Sequence, residues 1–291
     1  MTASCTRYTL LNLLVAGCLL GECHAELAAS PQSLKKPSPV KSEDQFLLGR
    51  AYYRGEGVPQ SYEKAGEWYR RSADGGCTKA MNNLGIMFLE GIGTPRDEAE
   101  GYRWLRKAAD LNDPKSTYLV GKLLCEGRGV TKNPAEGIAY LRKSSALGNL
   151  DATTRLGQGM LFGDDGLRKD PASAAEFLRK AAMGGNRAAC GLYGIILRDG
   201  VAGITEPAGA RYWLEGGALL GDRQSLREYA LLLQAESNRK AYPWLLIAER
   251  ENPGDPLLQN YLMMARESLS TGDLALGEKE AADISSKLPA P

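Results

Sequence analysis

The sequence predicts an all-α solenoid of about six helix-turn-helix repeats with a C-terminal capping helix, on three observations that share one period. Gly49, Gly85, Gly121 and Gly157 stand 36 residues apart, Gly194 follows after 37, and a second glycine lies six residues beyond each (Gly55, Gly91, Gly127, Gly163, Gly200). An aromatic column keeps the same step: Trp68, Trp104, Tyr140, Phe177 and Trp213. Four residues after each aromatic comes a small residue (Ser72, Ala108, Ser144, Ala181, Gly217), and eight after it a turn former (Gly76, Asn112, Gly148, Gly185, Gly221). Five columns in register through five repeats exclude an accident of composition.

Each column has a physical reading. The stretch before each first glycine has helical spacing, as in Ala80, Leu84 and Phe88. A glycine inside a helix costs about 1 kcal/mol against alanine, so its recurrence predicts the close approach of a neighbouring helix. The second glycine predicts a left-handed helix end. Ser61, Asp97, Asn133, Asp170 and Glu206 then form a cap column, four of them good N-caps, and Pro134, Pro171 and Pro207 follow at the first helical position. The aromatic is expected to anchor the second helix in the core, and the closing Gly or Asn to cap it. The expected repeats run about 43–76, 77–112, 113–148, 149–185, 186–221 and 222–254. The sixth lacks both glycines but keeps Ala230, Trp244, Ala248 and Asn252 in register. Residues 255–291 read as capping helices and a tail, from Leu257 to about Leu269 and over 272–288.

The other end differs. Arg7 is the only charge before Glu22, and an apolar run from Leu10 to Leu20 is shorter than the roughly 20 residues that span a bilayer, so residues 1–25 read as a secretory signal. Cys23-His24-Ala25 supplies a cleavage site after Ala25. The competing reading is a lipoprotein box at Val15-Ala16-Gly17-Cys18 with a lipid anchor on Cys18, against which Leu19 and Leu20 continue the apolar run. Residues 26–42, with three prolines and no apolar period, read as a flexible linker, and Ser42 with Gln45 has capping-box spacing. The mature chain is expected to be periplasmic or secreted, without a transmembrane segment.

Composition narrows the function. With 36 Lys+Arg against 35 Asp+Glu, no global field recruits nucleic acid. Cleavage after Ala25 removes the only histidine and Cys5, Cys18 and Cys23, so Ser-His, Cys-His and His-bearing metal sites have no material. Gly55-x-Gly57, Gly91-x-Gly93 and Gly127-x-Gly129 follow helices and recur, which makes them turns and not phosphate cradles. Asp164-Asp165 and Asp170 lack the closing Glu of a calcium loop. No cofactor, metal site or catalytic residue is expected. Cys77 precedes a first helix, in the column of Asp113, Asn149, Asn186 and Asp222, and reads as a drifted cap; a thiol at a helix N-terminus is the reactive alternative. It lies too far from Cys125 and Cys190 for a disulfide, and all three are expected to stay unpaired.

The pattern Ala80-x-x-x-Leu84-Gly85-x-x-Phe88-x-x-Gly91-Ile92-Gly93, with Trp104-Leu105-Arg106-Lys107-Ala108-Ala109, resembles the Sel-one-like repeat family, relatives of the tetratricopeptide repeat, from about Glu43 to Asn252. The resemblance implies a right-handed superhelix that acts as an adaptor or scaffold and binds a protein or peptide on its concave face. By the tetratricopeptide analogy, positions −3, +1 and +4 from each first glycine face the groove: Phe46, Arg50, Tyr53; Asn82, Ile86, Leu89; Tyr118, Lys122, Cys125; Thr154, Gln158, Leu161. An exported interaction scaffold is therefore the expected function. An envelope hydrolase or peptidoglycan-acting enzyme, and a secreted factor binding host proteins, are the alternatives.

Overall fold

The computed structural model describes residues 41–289, which form α-helices and turns with no strand among them. The proposed signal, the lipidation alternative at Cys18 and all but the end of the linker lie outside the described residues. Two compact bodies are distinguished. The first, residues 41–156 with Asp165–Leu167, holds α1 (Ser42–Arg54), α2 (Tyr62–Asp74), α3 (Thr78–Glu90), α4 (Glu98–Asp110), α5 (Pro114–Glu126), α6 (Pro134–Ala146) and the start of α7 (Leu150–Phe162). The second, Gly157–Asp164 with residues 168–289, holds the end of α7, α8 (Pro171–Met183), α9 (Arg187–Asp199), α10 (Pro207–Leu219), α11 (Arg223–Gln234), α12 (Asn238–Glu251), α13 (Pro256–Ser268) and α14 (Thr271–Lys287). Within each body successive helices pack in sequence order, as in an all-α solenoid of helix pairs.

Local chemistry explains the helix ends. Gly55, Gly91 and Gly127 close α1, α3 and α5 at φ between 70° and 74°, left-handed values that glycine takes without a Cβ penalty. Ser61, Asp97, Asn133 and Asp170 each accept a hydrogen bond from the backbone N–H three residues on, whereas the Glu206 side chain makes no cap bond. The backbone N–H of each cap also donates to the preceding first helix, Asp97 to Phe88 O (2.9 Å) and Asn133 to Leu124 O (2.8 Å), which pins the two helices of a pair together. The closing column is left-handed in the first five repeats, from Asn112 at φ 61° to Gly148 at 90°, whereas Asn252 of the sixth has φ −129°. Cys77 N–H donates to Ser72 O and Gly76 N–H to Ala73 O, the paired bonds of a Schellman motif.

The first glycines sit where the two helices of a pair touch. A Cβ on Gly49 would stand 2.7 Å from Tyr69 Cδ1, on Gly85 2.7 Å from Leu105 Cγ, and on Gly121 2.9 Å from the Gly137 carbonyl. Gly157 against Leu178 and Gly194 against Leu214 repeat the contact in the second body. The core therefore departs from the expected aromatic column. Its most buried side chains are one residue later, with Tyr69 at 1% exposure and Leu105, Leu141, Leu178 and Leu214 at 0%. Of the aromatics only Trp104 is buried; Trp68, Tyr140, Phe177 and Trp213 are half-buried. One residue turns about 100° around a helix, so the aromatic lies on the flank and its successor faces the glycine. On that flank cations cover the rings: Arg71 is 4.5 Å from the Trp68 centroid, Lys107 4.0 Å from Trp104 and Arg106 5.0 Å from Tyr140.

Repeats are joined by turns and polar ties. Gly93 and Gly129, both left-handed, lie so close to the first residues of α2 and α4 that a Cβ would collide with the Tyr62 and Glu98 carbonyl groups. Arg128 in the same turn donates to Glu98 Oε1 at 2.7 Å. Buried Asn82 donates to buried Ser116 Oγ (2.9 Å), linking α3 to α5. In the second body, α11 and α12 pack around Trp244 and Leu245, and α13 and α14 contribute Leu258, Leu262 and Ala281 to the same apolar cluster.

Cys77, Cys125 and Cys190 are free. Burial pushes the Cys125 thiol up and the Cys190 thiol up to about 12. Cys77 stands at the N-cap of α3 with no side-chain cap bond, while Asp113 and Asn186 at the equivalent sites accept from Ser116 N (2.7 Å) and Ala189 N (3.0 Å). Cys77→Asn is expected to restore that bond and stabilise the protein by about 1 kcal/mol, read as an upward shift of the urea midpoint. A lower midpoint would mean that the thiol has a packing role.

Candidate protein-interaction site

A cleft of about 400 Å³ lies on the first helices of the first body, between α1 and α3. Phe46, Leu47, Ile86 and Met87 make it apolar, Arg50, Arg54, Lys79 and Glu43 charge it, and Tyr53, Tyr69 and Asn83 supply polar edges. Its base follows from the glycine ladder. Because Gly49 has no side chain, the Tyr69 ring of α2 reaches beneath α1, with its centroid 5.8 Å from that of Phe46. Burial there pushes the Tyr69 phenol up. Helical spacing places Phe46, Arg50 and Tyr53 on one stripe of α1. Tyr53 is held edge-on to Tyr62, 5.1 Å between centroids.

The charges are unevenly matched. Lys79 Nζ lies 3.6 Å from Glu43 Oε1, and Arg54 pairs with Glu56 at 3.3 Å, both on exposed side chains where a pair is weak. Arg50 has no carboxylate partner among the described residues and is half-buried.

The twelve expected groove positions separate into groups. Phe46, Arg50, Tyr53 and Ile86 line the cleft, with Phe46 as its floor at only 8% exposure. Asn82, at 8% exposure, is turned to Ser116, and Leu89, at 4%, lies against Gly101 of α4. Tyr118 and Lys122 are half-buried on α5, with Lys122 Nζ 4.0 Å from Glu126. Cys125 is packed against Gly137, and Thr154 is buried with its hydroxyl on Leu150 O (2.8 Å). Gln158, exposed, and Leu161, at 6%, belong to the second body. From Leu89 onward the +4 position therefore serves the helix pair, and +1 stays open.

The sequence reading missed Leu47, Asn83 and Met87, which flank the chosen positions, and Glu43 with Lys79, which stand six residues before Gly49 and Gly85. Extending the stripe by one more helical turn would have found the last two. Elsewhere Asp165 is bound to Arg155 at 2.8 Å, and among the described residues no group of His, Cys, Asp and Glu is arranged to hold a metal ion. No helix among them is long and apolar enough to cross a membrane.

Helix pairs stacked in order, with an open cleft on the first helices, define a helical-repeat solenoid, a fold typical of protein-interaction scaffolds. The chain belongs to the Sel1-repeat family, whose repeat matches residues 42–77, 78–113, 114–149 and 150–186. The Sel1 repeat protein from Oxalobacter formigenes is 27% identical, with a TM-score of 0.67 over 76% of this chain and 92% of that one. The protective antigen c5321 of uropathogenic Escherichia coli, which displays an SLR fold, is 25% identical, with a TM-score of 0.54 over 84% of this chain and 60% of that one. The immunity protein PA5088 from Pseudomonas aeruginosa shares the fold at 15% identity, with a TM-score of 0.50 over 89% of this chain and 86% of that one. No curated protein matches the sequence.

Proposed function

We propose that this protein is an exported scaffold that holds a protein or peptide partner on its first-helix face, centred on the α1–α3 cleft. The observation that carries the proposal is the convergence of Phe46, Arg50, Tyr53 and Ile86, chosen by repeat position, on one open cleft. Mixed apolar, aromatic and arginine linings suit protein contacts, where a few such anchors supply most of the binding energy. The apolar run from Leu10 to Leu20 and the Cys23-His24-Ala25 site support export.

A photo-crosslinking residue placed at Ile86, in cells of the native host, should give a discrete adduct that the same residue at exposed Arg142 of α6 does not give. Equal labelling from both positions would remove the cleft from the interface. The mature protein should begin at Glu26 by intact mass; a diacylglyceryl mass on Cys18 would replace release by membrane anchoring.

A further inference from the structure

We infer that the α1–α3 cleft reads an acidic segment: a stretch of polypeptide that seats an apolar side chain on Phe46 and Ile86 and places a neighbouring carboxylate on Arg50. The inference rests on the reading of this cleft as the partner site and names the chemistry of the partner.

Three observations carry it. Arg50 is half-buried in the cleft and has no carboxylate partner among the described residues, so its stem is held against the apolar lining while its guanidinium donors are left for an incoming acceptor. A carboxylate arriving there accepts from two N–H groups at once, the geometry that a guanidinium favours. Second, the lining holds Arg50, Arg54 and Lys79 with Glu43; Arg54 is paired with Glu56 at 3.3 Å, so the positive charge left over in the cleft is that of Arg50. Glu43 is engaged by Lys79 at 3.6 Å and leaves Arg50 open. Third, Phe46 stands four residues before Arg50, one helical turn away, so an apolar side chain and an adjacent carboxylate are met together. The chain's own residues 26–40 are the wrong occupant by charge, because they carry Lys35 and Lys36 against the single acid Glu26. A run of phosphates needs successive cations and gains nothing from the apolar floor.

The test is fluorescence anisotropy of the full chain with three pools of short labelled peptides, each with a central phenylalanine or leucine flanked by Glu, Gln or Lys and randomised elsewhere. The Glu pool is expected to bind about tenfold tighter than the Gln pool, with the Lys pool weakest and the differences shrinking at high salt. Arg50→Gln should bring the Glu pool down to the Gln pool, Arg50→Lys should retain part of the preference, and Ile86→Glu should abolish binding of all three. Circular dichroism melts identify any variant that fails to fold, and Arg50→Lys and Arg50→Met then serve as the paired readout. Equal affinity for the three pools, lost in Ile86→Glu, overturns the acidic reading and leaves the cleft as a peptide site. No binding by any pool to the folded chain overturns both. Tighter binding of a single-stranded oligonucleotide, sensitive to Arg50→Gln, or a crosslink from the cleft to residues 26–40 or to a second copy, overturns the choice of occupant.

Discussion

Trp104→Ala is expected to cost about 3–5 kcal/mol, as truncation of a large buried aromatic does. Trp104 is 5% exposed and packs in one cluster with Phe46, Tyr69, Leu84 and Phe88, so the hole opens in a core shared by two repeats. Its indole Nε1 donates to Glu100 Oε1 at 2.8 Å, and Lys107 and Arg70 stand over the ring at 4.0 and 5.9 Å from its centroid. Alanine removes the apolar contact and strips the cations of their partner together. Because each repeat is stable only through its neighbours, the loss should spread to α1 and α2. Urea denaturation measures it, with the slope compared between variants as a check that the transition remains cooperative. Tyr140→Ala, at a half-buried position of the same column, should cost less than half as much. Equal costs would mean that the column acts as uniform core, and an unchanged Trp104→Ala midpoint would contradict the packing described.

Gly129→Ala and Gly148→Ala should separate backbone strain from close approach. Both glycines are left-handed, at φ 69° and 90°, so both substitutions pay roughly 1–2 kcal/mol for placing a Cβ in that region. Gly148 has nothing within 4 Å of its added Cβ, and strain should be the whole effect. At Gly129 the Cβ collides with the backbone carbonyl of Glu98, which a rotamer change cannot relieve. The turn must move, and Arg128 then loses its bonds to Glu98 Oε1 (2.7 Å) and Leu89 O (2.9 Å). Gly129→Ala is therefore expected to cost ~3 kcal/mol or more, against ~1–2 for Gly148→Ala. Hydrogen exchange should rise at the start of α4 and in the 127–133 turn in the first variant only. Equal midpoints for the two variants would show that the turn does not lock one repeat onto the next.

Structure that depends on neighbours a few residues apart was largely determined by the sequence alone, although the expected Ser42–Gln45 capping box does not form: α1 starts at Ser42 behind Lys41, with no side-chain cap bond. A left-handed glycine, a side chain accepting from the N–H three residues on, and a proline at the first helical position are local devices, and their recurrence fixed the helix pairs, the period and the family. Even the exception was legible: Glu206, the poor cap in its column, makes no cap bond. Tertiary structure decided which face of each helix meets which neighbour. Trp68 and Tyr69 are adjacent aromatics, yet it is Tyr69 that packs against Gly49 of α1 while Trp68 stays on the flank. The same holds for the groove. Leu89 and Tyr53 occupy one repeat position, but Leu89 fills the space over Gly101 while Tyr53 is drawn to Tyr62, so only Tyr53 reaches the cleft. Periodicity assigns a residue to a helix face, and the packing of the next helix determines whether that face is core or surface.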